Sequence, residues 1–342
     1  MIWGNLEHLG YNMWLDEARW NDGRQKRHNV CVDHLLCTDK SWTVRMNRLK
    51  EPVSSINLLV IDVGEGVIYP SHPEIAVKGS WMPEKLNAEV KALKAAGIEV
   101  VPKLNFSAAH HFWLGDYARM LSSRRYYEVV KDLIDDTVEI FEHPRHFHIG
   151  MDEEGYRWCM ANAYCVFRNE DLWWHDIAFY GRCIERHNCR PWMFSNVSPG
   201  KDIRQHASRL PKSFLHSPCT YVEVFEGPGM QDFVRRRLEF MQLYDRVGLE
   251  MAPICSTWCG EEMTARGIGV NLKNTYNFAK WCKEHISPEH LAGMQMIPWT
   301  GSTETTDAKF LASCDIMDIT RESLFGWKPD YASLPRPKQQ NY

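Results

Sequence analysis

The run Ile56-Asn57-Leu58-Leu59-Val60-Ile61-Asp62 decides how the rest of the chain is read. It is apolar for most of its length and ends on a carboxylate. A strand with one wet face alternates apolar and polar residues, whereas a continuous apolar run suits a strand covered on both faces, the usual state in a parallel sheet. The sequence downstream supplies the helices that would do the covering. Residues 82–96 form a helical pattern, with Pro83 suited to the first turn and Leu86, Val90 and Leu93 on one stripe. Gly97 stops that helix, and residues 98–105 follow as a strand. Residues 126–141 are the next helix, with Val130, Leu133, Ile134, Val138 and Phe141 on its apolar side, and residues 147–150 are the next strand.

The rhythm continues to the end of the chain. Helices are expected at 171–187, 233–245, 272–285 and 306–319, and strands at 191–194, 213–216, 249–254 and 291–298. Upstream, Leu9-Gly10-Tyr11-Asn12-Met13-Trp14 reads as the first strand. About eight strand–helix units in one α/β chain give a (β/α)8 TIM barrel over residues 1–334, with 335–342 as a C-terminal tail. The alternative is an open doubly wound sheet. It is disfavoured because no glycine-rich phosphate loop follows the first strand.

The chain has 342 residues, 44% hydrophobic and 25% charged, which is ordinary for a globular protein able to bury a full core. A net charge of -4 without a basic run makes nucleic acid an unexpected partner. No stretch approaches 18 apolar residues, so no membrane span is expected. The 11 cysteines contain no CxxC pair, and reduced thiols are their simplest state. No signal peptide is visible at the N-terminus, and a cytoplasmic location is expected. Fourteen tryptophans are many for this length. Flat aromatic faces suit the apolar C–H faces of sugars, although any single Trp can equally fill a core.

In a barrel the active site lies at the C-terminal ends of the strands. The residues expected there are Trp14, Asp16 and Glu17; Asp62 and Glu65; Asn105, His110 and His111; Asp152 and Glu153; Asn196; Tyr221 and Glu223; Trp258; and Trp299 with Glu304. Such a ring of acids and aromatics suits a neutral polyhydroxylated ligand and lacks the Arg or Lys cluster of a phosphate site. Its densest part is Phe147-His148-Ile149-Gly150-Met151-Asp152-Glu153-Glu154. Carboxylates at the tip of a buried strand are costly unless used or well paired. Paired carboxyls near a sugar are the usual machinery for cutting a glycosidic bond. Glu154 is read as structural. His146 and His148 form an H-x-H pair that could hold a metal with Asp152, a less favoured reading. No cofactor or metal is expected.

His148-Ile149-Gly150-Met151-Asp152-Glu153 resembles the His-x-Gly-x-Asp-Glu signature of the family-20 glycoside hydrolases, the β-N-acetylhexosaminidases. Gly97-Ile98-Glu99-Val100-Val101-Pro102 is similar to the third strand of that family, with a His-containing loop after it, here Ser107-Ala108-Ala109-His110. Gly293-Met294-Gln295 leading to Trp299 resembles its eighth strand. The resemblance implies an exo-acting, retaining hydrolase in which the substrate's 2-acetamido oxygen attacks the anomeric carbon. Glu153 would be the general acid and base, and Asp152 would orient the acetamido group. His148 would orient the acids, Trp258 and Trp299 would wall the sugar pocket, and Tyr221 would bond the acetamido carbonyl. Asp62, His110 and Glu304 complete the expected substrate-binding set, and the partner is an oligosaccharide or glycoside. The chain departs from the family in leaving no room for a small α/β domain ahead of the barrel. Asp62-Val63-Gly64-Glu65-Gly66 only loosely matches the family's acidic loop, and Arg19 is the sole candidate for its sugar-gripping arginine. Two alternatives stay open: a glycosidase for a non-acetamido hexoside with Glu223, Glu226 or Glu304 as nucleophile, and a carbohydrate-binding barrel without catalysis.

Overall fold

Seven parallel strands make one sheet: β1 (Ile2–His8), β2 (Leu58–Asp62), β3 (Glu99–Lys103), β4 (His146–His148), β5 (Arg190–Phe194), β6 (Leu215–Ser217) and β7 (Gly293–Met296). Their spatial order is β6-β5-β4-β3-β2-β1-β7, and every pairing is parallel. The helices between them are α1 (Asp39–Leu49), α2 (Pro83–Ala95), α3 (Arg124–Ile140), α4 (Glu170–Glu185), α5 (Ile203–Arg209), α6 (Asp232–Arg246), α7 (Ala265–His285) and α8 (Asp307–Phe325). The computed structural model describes residues 1–13, 31–154, 168, 170–196, 202–255 and 263–334. The architecture is an α/β fold of the TIM type.

Two apolar layers follow from the alternation of side chains along each strand. Leu6, Leu58, Val60, Val101, Trp192, Phe194, Leu215, Ala252, Ile254 and Ile297 form one cluster inside the sheet. The opposite strand faces, with Trp3, Leu59, Ile61, Val100 and Phe147, meet the helices in the larger core. Leu86, Val90 and Leu93 of α2 are fully buried there. Each contributes about 1.5–3 kcal/mol relative to an exposed position. Helix starts are set locally: Thr38 caps Ser41 N–H, Ser123 caps Tyr126 N–H and Thr264 caps Gly267 N–H. Gly326 ends α8 at φ 70°, the left-handed stop that glycine allows.

Three expectations need correction. The first strand is Ile2–His8, not 9–14. Its Asn5 and Glu7 face the helices and are fully buried through bonds to Ser313 and Arg45, so the segment did not read as a buried strand. Helices α1 and α5 were not anticipated. Lastly, 249–254 is not a regular strand. It lies between β6 and β7 and joins them by isolated parallel bridges, His216 and Leu291 to Met251, and Cys219 and Gln295 to Ile254. Pro253 has no N–H to donate, which interrupts the ladder.

The strand register also fixes the floor of the site. His8 pairs with Asp62, Asp62 with Lys103, and Lys103 with His148. Four neighbouring strands therefore end on one row of titratable side chains.

Candidate active site

The turn after β4 has an unusual backbone. Gly150, Met151 and Glu153 have φ of 71°, 77° and 57°. Two of these are non-glycine residues in the left-handed region, a conformation that costs of order 1–3 kcal/mol each and persists only where neighbours enforce it. The neighbours are identifiable. Gly150 N–H donates to His148 Nδ1 at 2.9 Å, and Phe194 N–H of β5 donates to Gly150 carbonyl at 2.9 Å. Asn105, just past β3, accepts from Ser107 N–H (3.1 Å) and Met151 N–H (3.3 Å) through Oδ1. Those two donors fix the amide orientation, so Nδ2 faces Asp152 Oδ1 and donates to it at 2.9 Å. Ser107 Oγ donates to the Asp152 carbonyl at 2.5 Å. At Gly150 a Cβ would lie 2.8 Å from Asn105 Cα, which excludes any larger residue.

His110 sits between the two carboxylates. Its Nδ1 is 3.2 Å from Asp152 Oδ1 and its Nε2 is 3.0 Å from Glu153 Oε2. Burial alone would lower its pKa, but the charge of Asp152 and the bonds to both acids raise it to about 10. Burial would likewise raise Asp152. The His110 charge and hydrogen bond, with Lys103 and Asn105, instead hold it well below the usual carboxylate range. Burial and the charge of Lys103 push His148 well below its ordinary value, so it is neutral and presents Nδ1 to Gly150 as an acceptor. His111 is also neutral, lowered to about 3 by burial and by Arg168.

Glu154 is structural, as expected. Its Oε1 accepts from Ala108 N–H at 2.7 Å and from Arg168 Nη1 at 3.2 Å. Arg168 is buried and also lies 3.0 Å from Asp176 through Nε, which ties the turn to α4. Asp62 is engaged by Lys103 Nζ and, at 3.2 Å, by His8 Nδ1. These partners overcome the effect of burial and lower its pKa. Glu65 accepts Tyr11 N–H at 2.7 Å and Asn12 N–H at 3.1 Å. Burial raises it to about 7. A small cleft opens here, lined by Tyr11, Asn12, Asp62, Glu65, Asn105 and His110 among others.

The opposite wall is aromatic. The Trp299 ring is 5.7 Å from His8 and 6.0 Å from Phe194. Tyr221 is 40% exposed, and its hydroxyl meets Cys219 and Trp299. The structure thus brings Asp62, His110, His148, Asp152, Glu153, Tyr221 and Trp299 around one centre. Glu304 is exposed on the loop before α8, and the described contacts tie it to none of them. Trp14, Asp16, Glu17, Arg19 and Trp258 lie outside the described residues, as does the tail. His146 is committed to Glu99 at 2.6 Å and does not converge with His148 on Asp152. Sequence reasoning missed His8, Lys103 and Arg168, and it understated the cations at this site. Lys103 left a signal: like Asp62, it ends an apolar strand.

No family model matches the sequence, and no curated protein does at a significant level. Solved structures do. The Streptomyces plicatus N-acetyl-β-hexosaminidase superposes with a TM-score of 0.60 at 10% identity, covering 97% of this chain and 64% of that one. Dispersin B superposes at 0.56 and 13% identity, covering 92% and 98%. The chain shares their fold. It spans 45% of the Flavobacterium johnsoniae chitobiase, matched at a TM-score of 0.53 and 15% identity. Against most of these structures the chain accounts for less than two thirds of the partner's length, and at such identities the likeness concerns the fold alone.

Proposed function

We propose that the chain is a retaining, exo-acting glycoside hydrolase of the β-N-acetylhexosaminidase type, built as an eight-stave barrel with 251–254 as the stave between β6 and β7. The observation that carries this reading is His110 held between Asp152 and Glu153 on a strained turn. A solvated acidic loop has no use for such an arrangement. In the proposed reaction Asp152, kept ionised, accepts the N–H of the substrate's acetamido group and turns its oxygen toward the anomeric carbon. That oxygen forms a bond to the anomeric carbon as the bond to the aglycone oxygen breaks. Glu153 gives its proton to the leaving oxygen, then takes one from the water that opens the oxazolinium intermediate. That returns Glu153 to its protonated form, and His110, 3.0 Å away, holds the carboxyl in place through both steps. Tyr221 and Trp299 would line the acetamido side, and His148 would act through the turn. Fold neighbours include a Streptomyces plicatus hexosaminidase solved with N-acetylglucosamine as product, which favours this sugar class.

A protein nucleophile is less well served. Glu223 pairs with Lys273 at 3.5 Å and Glu226 with His285 at 3.8 Å, both toward α7. The described cysteines are free, which suits the reducing compartment proposed for the chain; fractionation of the native protein checks this. The functional test is hydrolysis of aryl β-glycosides of N-acetylglucosamine, N-acetylgalactosamine, galactose and glucose. Turnover confined to N-acetylated sugars and lost in Glu153→Gln supports the reading. Turnover of glucoside or galactoside overturns the substrate-assisted step, and binding without turnover leaves a carbohydrate-binding barrel.

A further inference from the structure

The row His8, Asp62, Lys103 and His148 is not explained by substrate contacts. Lys103 is completely buried, and its ammonium pairs with Asp62 rather than reaching water. An isolated buried ammonium would lose its proton, so a lysine kept here needs a partner and a compact setting. The sheet provides both. Asp62 is its register partner on β2, and Phe194 of β5 presents its ring 5.7 Å from the ammonium. On the other side its register partner is His148, which carries the turn. Along β3, Asn105 is two residues further on the same face and bonds Asp152 directly.

We propose that Lys103 is a positioning residue for Asp152: clamped to Asp62 by the strand register, it sets a fixed positive charge under the turn and keeps the acetamido-orienting carboxylate ionised and in place. The inference rests on the hexosaminidase reading only for the name of the group that Asp152 orients. The geometry holds for any use of that carboxylate. Support comes from the field of the ammonium, which lowers Asp152 and His148 together. Each effect serves the site. An ionised Asp152 can accept an N–H, and a neutral His148 can accept from Gly150.

The groups that face this charge come from every adjoining element. They are His8 from β1, Asp62 from β2, His148 from β4 and Asp152 from the turn above, with His110 lying against Asp152 and Glu153. Arg168 stands behind Glu154, and Cys219 and Tyr221 feel Asp152 from the loop after β6. Lys103 is the one lysine in the row His8, Asp62, Lys103 and His148. Removing it alone would leave the buried Asp62 carboxylate with His8 and no lysine, so Lys103→Met by itself tests folding as much as function. The informative variant is Lys103→Met with Asp62→Asn, which removes both charges and leaves the core neutral. Its control is Asp62→Asn alone, which keeps the ammonium.

The primary measurement is the titration of the Asp152 carboxyl by carbon NMR on protein with labelled aspartate, the signal assigned with Asp152→Asn. In the double variant the midpoint is expected to rise by about one pH unit, the scale of losing one nearby charge at a protein-like dielectric. With Asp62→Asn alone it is expected to stay or fall. Where a glycoside is turned over, the acid limb of kcat/KM should move with it, kcat should drop, and KM should change little. Lys103→Arg with Asp62 intact should restore the midpoint. An Asp152 titration unchanged in the double variant overturns the proposal, and makes the pair a core device only. Failure of every glycoside in the panel overturns the hexosaminidase reading but leaves the NMR result to judge Lys103.

Discussion

His110 Nε2 lies 3.0 Å from Glu153 Oε2 while the other nitrogen of the same ring faces Asp152. One imidazolium therefore separates two carboxylates that would otherwise repel each other on consecutive residues. With its pKa near 10, the ring keeps both protons through the neutral range. In His110→Gln, kcat/KM for an N-acetylhexosaminide is expected to fall about 100-fold or more. The wild-type profile should lose activity as pH passes about 10, and the variant should lack that limb.

Stability should follow the same group. His110 has a folded pKa above its unfolded value, so its contribution is fully present below about pH 6.5 and is lost as pH rises toward 10. Thermal melts of wild type and His110→Gln should diverge at low pH and converge at high pH. Parallel melting curves across that window would contradict the ion-pair assignment.

Glu65 behaves in the opposite sense for a carboxyl. Burial favours its neutral form in the folded state, with the pKa raised to about 7 against 4.5. It costs nothing below pH 4.5, and destabilises increasingly up to about pH 7, on the order of 3 kcal/mol in all. Glu65→Gln keeps an oxygen for Tyr11 N–H and Asn12 N–H but cannot ionise. Its melting temperature should rise relative to wild type between pH 5 and 7 and stay offset above.

Gly150→Ala places a methyl group against Asn105 at a backbone angle glycine alone takes cheaply. The expected loss is about 3 kcal/mol or more, with activity lost because Asn105 can no longer hold Asp152. The check is denaturant unfolding beside a rate assay. A variant with normal stability and normal turnover would show that the turn can relax.

Arg168→Met should be more damaging than Glu154→Gln. The arginine is fully buried between Glu154 and Asp176, and its loss leaves two buried acids without a cation, a cost of about 3–5 kcal/mol. Glu154→Gln keeps the oxygen that Ala108 N–H needs. Urea unfolding of the two variants gives the comparison directly.

Much of this architecture was legible because its signals are local. The apolar run before Asp62, the stripe of α2, and the stop at Gly97 each depend on neighbours in sequence. The Asp152-Glu153 tip was visible because buried-strand ends rarely carry two acids without reason. Other features depend on partners far along the chain. Asn5 and Glu7 hid β1, because their burial is rewarded by Ser313 and Arg45, which no window around them contains. Pro253 broke an expected strand while its flanking residues kept their bridges. Arg168 reached the turn from a segment with no motif. Lys103 was missed because its meaning lies in Asp62 across the sheet, outside any local window.

The segment around Pro253 closes the gap between β6 and β7 without a regular ladder. Two bridges reach each neighbour, from His216 and Cys219 on one side and from Leu291 and Gln295 on the other. Pro253 donates nothing, yet its carbonyl still accepts from Gln295 N–H. β6 and β7 therefore carry no open edge between them at which a second chain could add a strand.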